Sequence, residues 1–289
     1  MTGPVAQRLA GERLHLSHGP IEVVLRGFGP PDAVAAAEAA AAQRFRTILD
    51  ELVAELPMLR QPVAADRIPQ GAVARRMHAA CEPFAAEGIF VTAMAAVAGA
   101  VADELLAAMR AAAPDLTRAY VNDGGDIAVF VAPGEHMTIG LAAEPFPGTV
   151  FDGALSIEAQ HGIGGVATSG RQGRSFSLGI ADAVTVLARD AATADAAATL
   201  IANEVNLDSP AITRRPARDL DPDSDLGERP VTVAVGPLAA AEIAAALEAG
   251  AARAEAWCRA GLIRGAALRL TGQARLAGTP FPAFAEHAP

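Results

Sequence analysis

Arg118-Ala119-Tyr120-Val121-Asn122-Asp123-Gly124-Gly125-Asp126-Ile127-Ala128-Val129-Phe130-Val131 sets two β-type runs on either side of an Asp-Gly-Gly turn. β-Branched and aromatic residues suit a pleated, half-buried surface, and Asp-Gly or Gly-Gly supplies the positive φ that a tight hairpin requires. Similar short runs recur at 137–141, 165–168 and 184–187, separated by glycine and proline turns. Residues 118–187 therefore read as the sheet-rich centre of the chain.

Outward from that centre the periodicity turns helical. Upstream, Leu14, Leu16, Ile21, Val23 and Leu25 alternate in places around the breaker Gly19-Pro20, as two short strands or a hairpin. Pro30-Pro31-Asp32 opens a helix expected to run to about Leu56, with Phe45, Ile48, Leu49, Leu52, Val53 and Leu56 as its core stripe, before Pro57 and Pro62 stop it. A second helix is predicted over 92–112, where Gly99 permits close approach of another backbone. A helix over 193–205, a strand over 231–235, a helix over 239–260 and a last strand over 266–270 follow. Strands clustered between helical blocks, rather than in strict alternation with helices, indicate an α+β fold. No linker or internal repeat is evident, so the expectation is a single domain over 1–289.

Composition narrows the function classes. The 289 residues are 52% hydrophobic and 19% charged, with a net charge of −10, which excludes a disordered chain. All 23 basic residues are arginine, so a phosphate-loop lysine, a Schiff-base lysine and a pyridoxal-phosphate site built from this chain are excluded. A pI near 5.1 argues against a nucleic-acid surface, which needs clustered cations. Cys81 and Cys258 have no metal-ligand or disulfide spacing. Arg8, Glu12, Arg13 and His15 interrupt what a secretory signal would need, and the apolar run 88–102 is too short to span a bilayer. The expectation is a cytoplasmic protein with no membrane and no nucleic-acid partner.

Three constellations can carry chemistry. In the first, bare backbone at Gly124 and Gly125 can approach a flat or phosphorylated ligand, with Asn122 and Asp126 as polar contacts; taken alone, the plainer reading is a hairpin turn. The second is the turn Thr168-Ser169-Gly170-Arg171 with Arg174, whose hydroxyls, amides and guanidinium groups can hold a pyrophosphate or equally face water. A G-x-G-x-x-A match at residues 162–167 lacks the strand-then-helix context of a dinucleotide fingerprint and is set aside. The third is Asp195 and Thr199, which share a helix face at i and i+4 and offer hard oxygen ligands to magnesium, or simply serve a helix start and a core face. Asp182, just before an apolar strand, is a candidate acid, base or ligand, or an ordinary strand-entry residue. The acidic run Asp219, Asp221, Asp223 and Asp225 lacks the glycine of a calcium loop and reads as solvated.

Taken in order, Asn122-Asp123-Gly124-Gly125-Asp126, Ala167-Thr168-Ser169-Gly170 and Ala194-Asp195-x-x-x-Thr199 resemble the N-x-GGD, A-T-S-G and A-D-x-x-x-T signatures of the ApbE superfamily. Ala98-Gly99-Ala100-Val101-Ala102-Asp103 is similar to its helix motif, with Ala98 where lysine is usual. With His18-Gly19-Pro20, Leu56-Pro57-Met58-Leu59-Arg60 and Ser175-Phe176-Ser177-x-Gly179-x-Ala181-Asp182 included, the chain looks closest to an uncharacterised ApbE-like subgroup. The resemblance implies a T-fold-like α+β architecture of antiparallel sheets packed against long helices. It also implies FAD binding and magnesium-dependent transfer of FMN to a threonine or serine of an acceptor flavoprotein. It makes Asp195 and Thr199 the magnesium ligands, and Asn122–Asp126 with Thr168–Gly170 the flavin-binding turns. The family's H-x-x-D-P segment is replaced by the shorter residues 174–182, where Asp182 is the remaining acidic candidate. Flavin-nucleotide binding, with FAD cleavage or FMN transfer, is thus the leading expectation. The alternatives are a non-catalytic ligand-binding or accessory protein in sulfur or amino-acid metabolism on the same scaffold, and a structural homo-oligomer.

Overall fold

Val5–Leu9 (β1), Arg13–His18 (β2) and Ile21–Phe28 (β3) open the chain as an antiparallel meander. The structure is a computed structural model and describes residues 3–142, 151–173 and 175–278. In β2 and β3 the alternate residues Leu14, Leu16, Ile21, Val23 and Leu25 are buried, the one-sided pattern of a sheet with a single covered face. Helices Pro31–Leu59 (α1), Ala72–Ala86 (α2) and Val97–Ala112 (α3) follow, then the hairpin Arg118–Asp123 (β4) and Asp126–Val131 (β5). His136–Ala142 (β6) and Phe151–Glu158 (β7) form a separate hairpin. Gly165–Ser169 (β8) and Ala183–Ala188 (β9) return to the main sheet, followed by helix Ala191–Glu204 (α4). The hairpin Ile212–Pro216 (β10) and Pro230–Val235 (β11), helix Ala240–Arg259 (α5), and strands Gly265–Leu270 (β12) and Gln273–Gly278 (β13) complete the order.

The main sheet is antiparallel, in the order β1-β2-β3-β4-β5-β8-β9-β12-β13. Its topology repeats: β2-β3, helices, β4-β5, then β8-β9, helices, β12-β13, with β5 paired to β8 at the seam. The repeat is one of connectivity alone, which is why no repeated residue pattern marks it. Leu16, Val121, Val184 and Leu268 point into the core shared with the helices, whereas Val129, Val166 and Leu187 point to the opposite face, which Met137, Leu155 and Ile157 of the β6–β7 hairpin cover. The mixed helix and antiparallel-sheet architecture agrees with the α+β expectation.

Two details correct the sequence reading. Pro57 lies inside α1, which continues to Leu59 and is capped by Arg60, whose amide donates to the Leu56 carbonyl; the proline removes one backbone donor, and the helix runs on past it for two residues. β1, α2, β7, β10 and β13 were not expected from the pattern.

Helices α3 and α4 cap one another. The Asp103 carboxylate of α3 accepts the amides of Ala191 (3.0 Å) and Ala192 (2.9 Å), and the N-cap Asp190 accepts that of Thr193 (2.8 Å), so three of the unpaired donors at the start of α4 are satisfied. In return Asp195 of α4 accepts the Gly99 amide at 3.0 Å, in the first turn of α3. Burial pushes the Asp103 carboxyl up to about 7 despite its two amide donors. A carboxyl raised in the folded state adds most to stability while protonated; the contribution is full below about pH 4 and is lost as pH rises through about 7. Asp103→Asn keeps one acceptor and removes the titration. Urea midpoints measured across that window are expected to fall less steeply with pH than in the parent chain; an unchanged slope would refute this assignment.

Candidate functional site

The turn between β4 and β5 is two residues long, flanked by the pair Asp123 and Asp126. Gly124 sits at φ +63° with open space where a side chain would be, so its backbone is bare toward solvent. The Asn122 side chain accepts the Gly125 amide at 2.8 Å, closing the turn on itself. Pairing of Ile127 with Val166 and Ala128 with Gly165 carries the register on, so that Asp126 comes beside Thr168, whose amide donates to Asp126 Oδ1 at 3.3 Å. Helix α4 packs over β8 and β9 and brings the Asp195 and Thr199 face to the same end; Thr199 Oγ1 donates to Ser169 Oγ at 3.4 Å.

These patches open into one cavity of about 560 Å3. Asp123, Gly124, Asp126, Thr168, Ser169, Gly170, Asp195 and Thr199 form its polar side, and the opposite wall is apolar, with Leu49, Leu52 and Leu56 of α1, Met77 of α2 and Val101 of α3. The stripe of α1 expected to face only a core therefore also faces the cavity, with Val53 46% exposed. A second chamber of about 370 Å3 shares Arg60, Asp126, Ser175, Asp195 and Thr199 with the first. Its far side carries Phe90, Phe176 and the loop residues Asp221, Asp223 and Asp225, so the acidic run expected to be merely solvated lines a concavity.

Electrostatically the polar side is crowded with carboxylates. Burial pushes Asp126 up to about 7, against one amide donor. Asp195 is raised well above the usual carboxylate range, first by burial and then by Asp126 and Asp123, and the amides of Gly99 and Ala98 only partly offset this. A cation on this side would favour the charged forms of Asp126 and Asp195. The donors are hard oxygens, the kind magnesium prefers, and no group of three His, Cys, Asp or Glu side chains arranged to hold a metal occurs among the described residues. By the chemistry of its donors the set fits magnesium, which commonly takes one or two protein carboxylates with waters and substrate phosphates.

Other candidates fall elsewhere. Arg171 Nη2 donates to Asp182 Oδ1 at 2.5 Å, and Asp182 Oδ2 accepts the Thr271 amide at 2.6 Å. Neither residue lines the cavity. Asp182 thus holds the turn after β8 to the start of the β12–β13 hairpin turn, and Arg171, expected at a pyrophosphate, is held by that carboxylate. Asn122 and Gly125 shape the turn without lining the cavity. Arg174 lies outside the described residues. Residues that were not singled out as site residues but line the cavity include Asp123, Ser175 and Arg60. The run Leu56–Arg60 was part of the resemblance, yet nothing local marks its arginine as facing a ligand.

A family model described as AbpE bacteria matches residues 6–276. The chain belongs to this family. Relatives of the AbpE chain include the UPF0280 protein of Methanopyrus kandleri, 38% identical over 175 residues, which cover 60% of this chain and 66% of the relative. The UPF0280 protein of Methanothrix thermoacetophila is 38% identical over 170 residues, covering 57% of this chain and 66% of the relative. The match thus spans just under two thirds of each relative's length. Among solved structures, the ApbE protein of Thermotoga maritima is 14% identical with a TM-score of 0.44, over 71% of this chain and 88% of that one. The Pseudomonas stutzeri flavinyl transferase ApbE in its apo form is 15% identical with a TM-score of 0.38, over 96% and 93%. Among the described residues of the AbpE chain no helix is long and apolar enough to cross a membrane.

Proposed function

We propose that this chain binds FAD in the double chamber and, with magnesium, cleaves its phosphoanhydride and passes FMN to a hydroxyl acceptor. One observation carries the reading: three motifs, 46 residues apart from Asn122 to Thr168 and 27 from Thr168 to Asp195, converge on a single cavity with a polar side and an apolar wall. Such a site suits a flat ring system attached to phosphates.

Asp195 and Thr199 are the residues that would hold magnesium. The bound ion would supply Lewis-acid polarisation of the phosphate oxygens and relieve the carboxylate crowding. The rest falls to the chain itself. The bare Gly124 backbone and the Thr168–Gly170 turn position the ligand. The apolar wall of α1, α2 and α3 takes the ring and excludes water from it, and the α3–α4 capping pair fixes the Asp195 carboxylate in place. In the overall reaction the acceptor oxygen bonds to the FMN phosphorus, the bond to the bridging oxygen breaks, AMP leaves, and the hydroxyl proton is released. The acceptor is a threonine or serine of a flavoprotein, or water. Asp182, outside the cavity, is assigned a positioning role through Arg171. The reading takes the chain as one T-fold-like domain, which the continuous antiparallel sheet with its long helices on one face supports, and as cytoplasmic.

Titrating the purified chain with FAD, with and without magnesium, while following the flavin spectrum and chromatographing AMP and FMN, tests this. Bound FAD with magnesium-dependent release of AMP is expected. Binding without release makes the chain a flavin-binding accessory protein, and no spectral change rejects the flavin reading.

A further inference from the structure

Arg60 follows the last turn of α1, where its amide donates to the Leu56 carbonyl at 3.1 Å. Its half-buried side chain lines both chambers and is the one cation doing so among the described residues. Elsewhere the arginines beside partly buried carboxylates are paired with them: Arg44 and Arg76 with Glu104, Arg171 with Asp182, Arg253 with Glu87 and Glu204. Arg60 differs. Three carboxylates line the same cavity, yet its guanidinium makes no ion pair and no hydrogen bond with any described residue. A half-buried guanidinium with no partner among the described residues is open to an anionic ligand, and its planar fork matches the oxygens of a phosphate.

The position is informative too. Arg60 lines both chambers, as Asp195 and Thr199 do. On one side is the apolar wall of Leu49, Leu52 and Met77, and on the other the space near Phe90 and Phe176. We infer that Arg60 is the phosphate-recognising, specificity-determining residue of the site. It holds the charged link of a two-headed phosphate ester whose ring lies in the larger chamber and whose second half lies in the smaller. This inference rests on the flavin-nucleotide reading for the identity of the ring, but not for the phosphate contact.

The experiment measures binding of riboflavin, FMN, FAD and ADP, each with magnesium, to the parent chain, Arg60→Gln and Arg60→Lys. Thermal melting checks that each variant is folded. Arg60→Gln keeps the length of the stem and loses the charge; it is expected to weaken FAD and FMN by roughly 10- to 100-fold, the worth of a charge-assisted hydrogen bond, and to leave riboflavin unchanged. Arg60→Lys keeps the charge without the fork and is expected to fall between. Equal FAD affinity in all three chains overturns the role of Arg60 while the flavin reading stands. Equal weakening of riboflavin and FAD also overturns it, since that would mark a packing role. If the parent chain binds no flavin but binds ADP in an Arg60-dependent way, the flavin reading falls and the phosphate role stands. No binding of any probe overturns both.

Discussion

Asp195→Asn is expected to reduce magnesium-dependent FAD turnover roughly 100- to 1000-fold while leaving the chain folded, the usual effect of deleting one preorganised electrostatic group. The choice of asparagine follows from the two duties of this side chain. Its carboxylate receives the Gly99 amide at the start of α3, and it lines both chambers beside Thr199. Asparagine retains an oxygen for the amide and cannot supply the anionic ligand. Alanine removes both, so Asp195→Ala is expected to cost a further 1–3 kcal/mol or about that in stability, from the orphaned amides. The burial and the neighbouring Asp126 and Asp123 that disfavour the Asp195 charge imply that neutral asparagine is tolerated in the apo chain. Initial rates at saturating FAD and melting curves with and without magnesium separate the two duties. Full turnover by a folded Asp195→Asn chain would remove Asp195 from the chemistry and leave it only as a cap.

The parts of the fold legible in the sequence are those where one face is buried and the signal is local. The β2–β3 and β4–β5 hairpins were legible because alternation and a glycine turn occur together, and α3, α4 and α5 because small and apolar residues recur at helical spacing. β1 and β13 show why the rest was not. They are the edge strands of the sheet, with four exposed residues in each; β1 buries none of its residues and β13 only Ala277, so little alternation shows. Helix α2 buries Val73, Met77, Ala80, Cys81 and Phe84, a readable stripe, but Arg75, Arg76 and Pro83 break it up. At the site, Asp195 with Thr199 was visible as a spacing and the two turns as compositions, since each motif is contiguous. What the sequence could not supply was pairing between distant residues. Capture of Arg171 by Asp182 and the place of Arg60 in the lining of both chambers depend on the tertiary structure alone.

Gly99→Ala is expected to be strongly destabilising, costing about 3 kcal/mol or more, at or beyond the upper range for overpacking. A Cβ at this position would lie 2.2 Å from the Ala191 carbonyl oxygen, 2.5 Å from its carbon and 2.7 Å from the Ala192 nitrogen. All are backbone atoms, with no rotamer to move aside. Relief by separating α3 from α4 would stretch the bonds from Asp103 to Ala191 and Ala192 and from Gly99 to Asp195. Nor can α4 retreat toward the sheet, since an added Cβ on Gly165 of β8 would meet the Asp190 carbonyl at 2.2 Å from the other side. The first turn of α4 is thus clamped between two glycine backbones. Gly88→Ala is the matched control: its φ is +80° but nothing lies within 4 Å of the added carbon, so it is expected to cost only the 1–2 kcal/mol or about that of a left-handed alanine. Urea unfolding of both variants checks the ranking. Equal losses would mean that α3 and α4 separate easily, and Asp195 would then lack the rigid support that the proposed site requires.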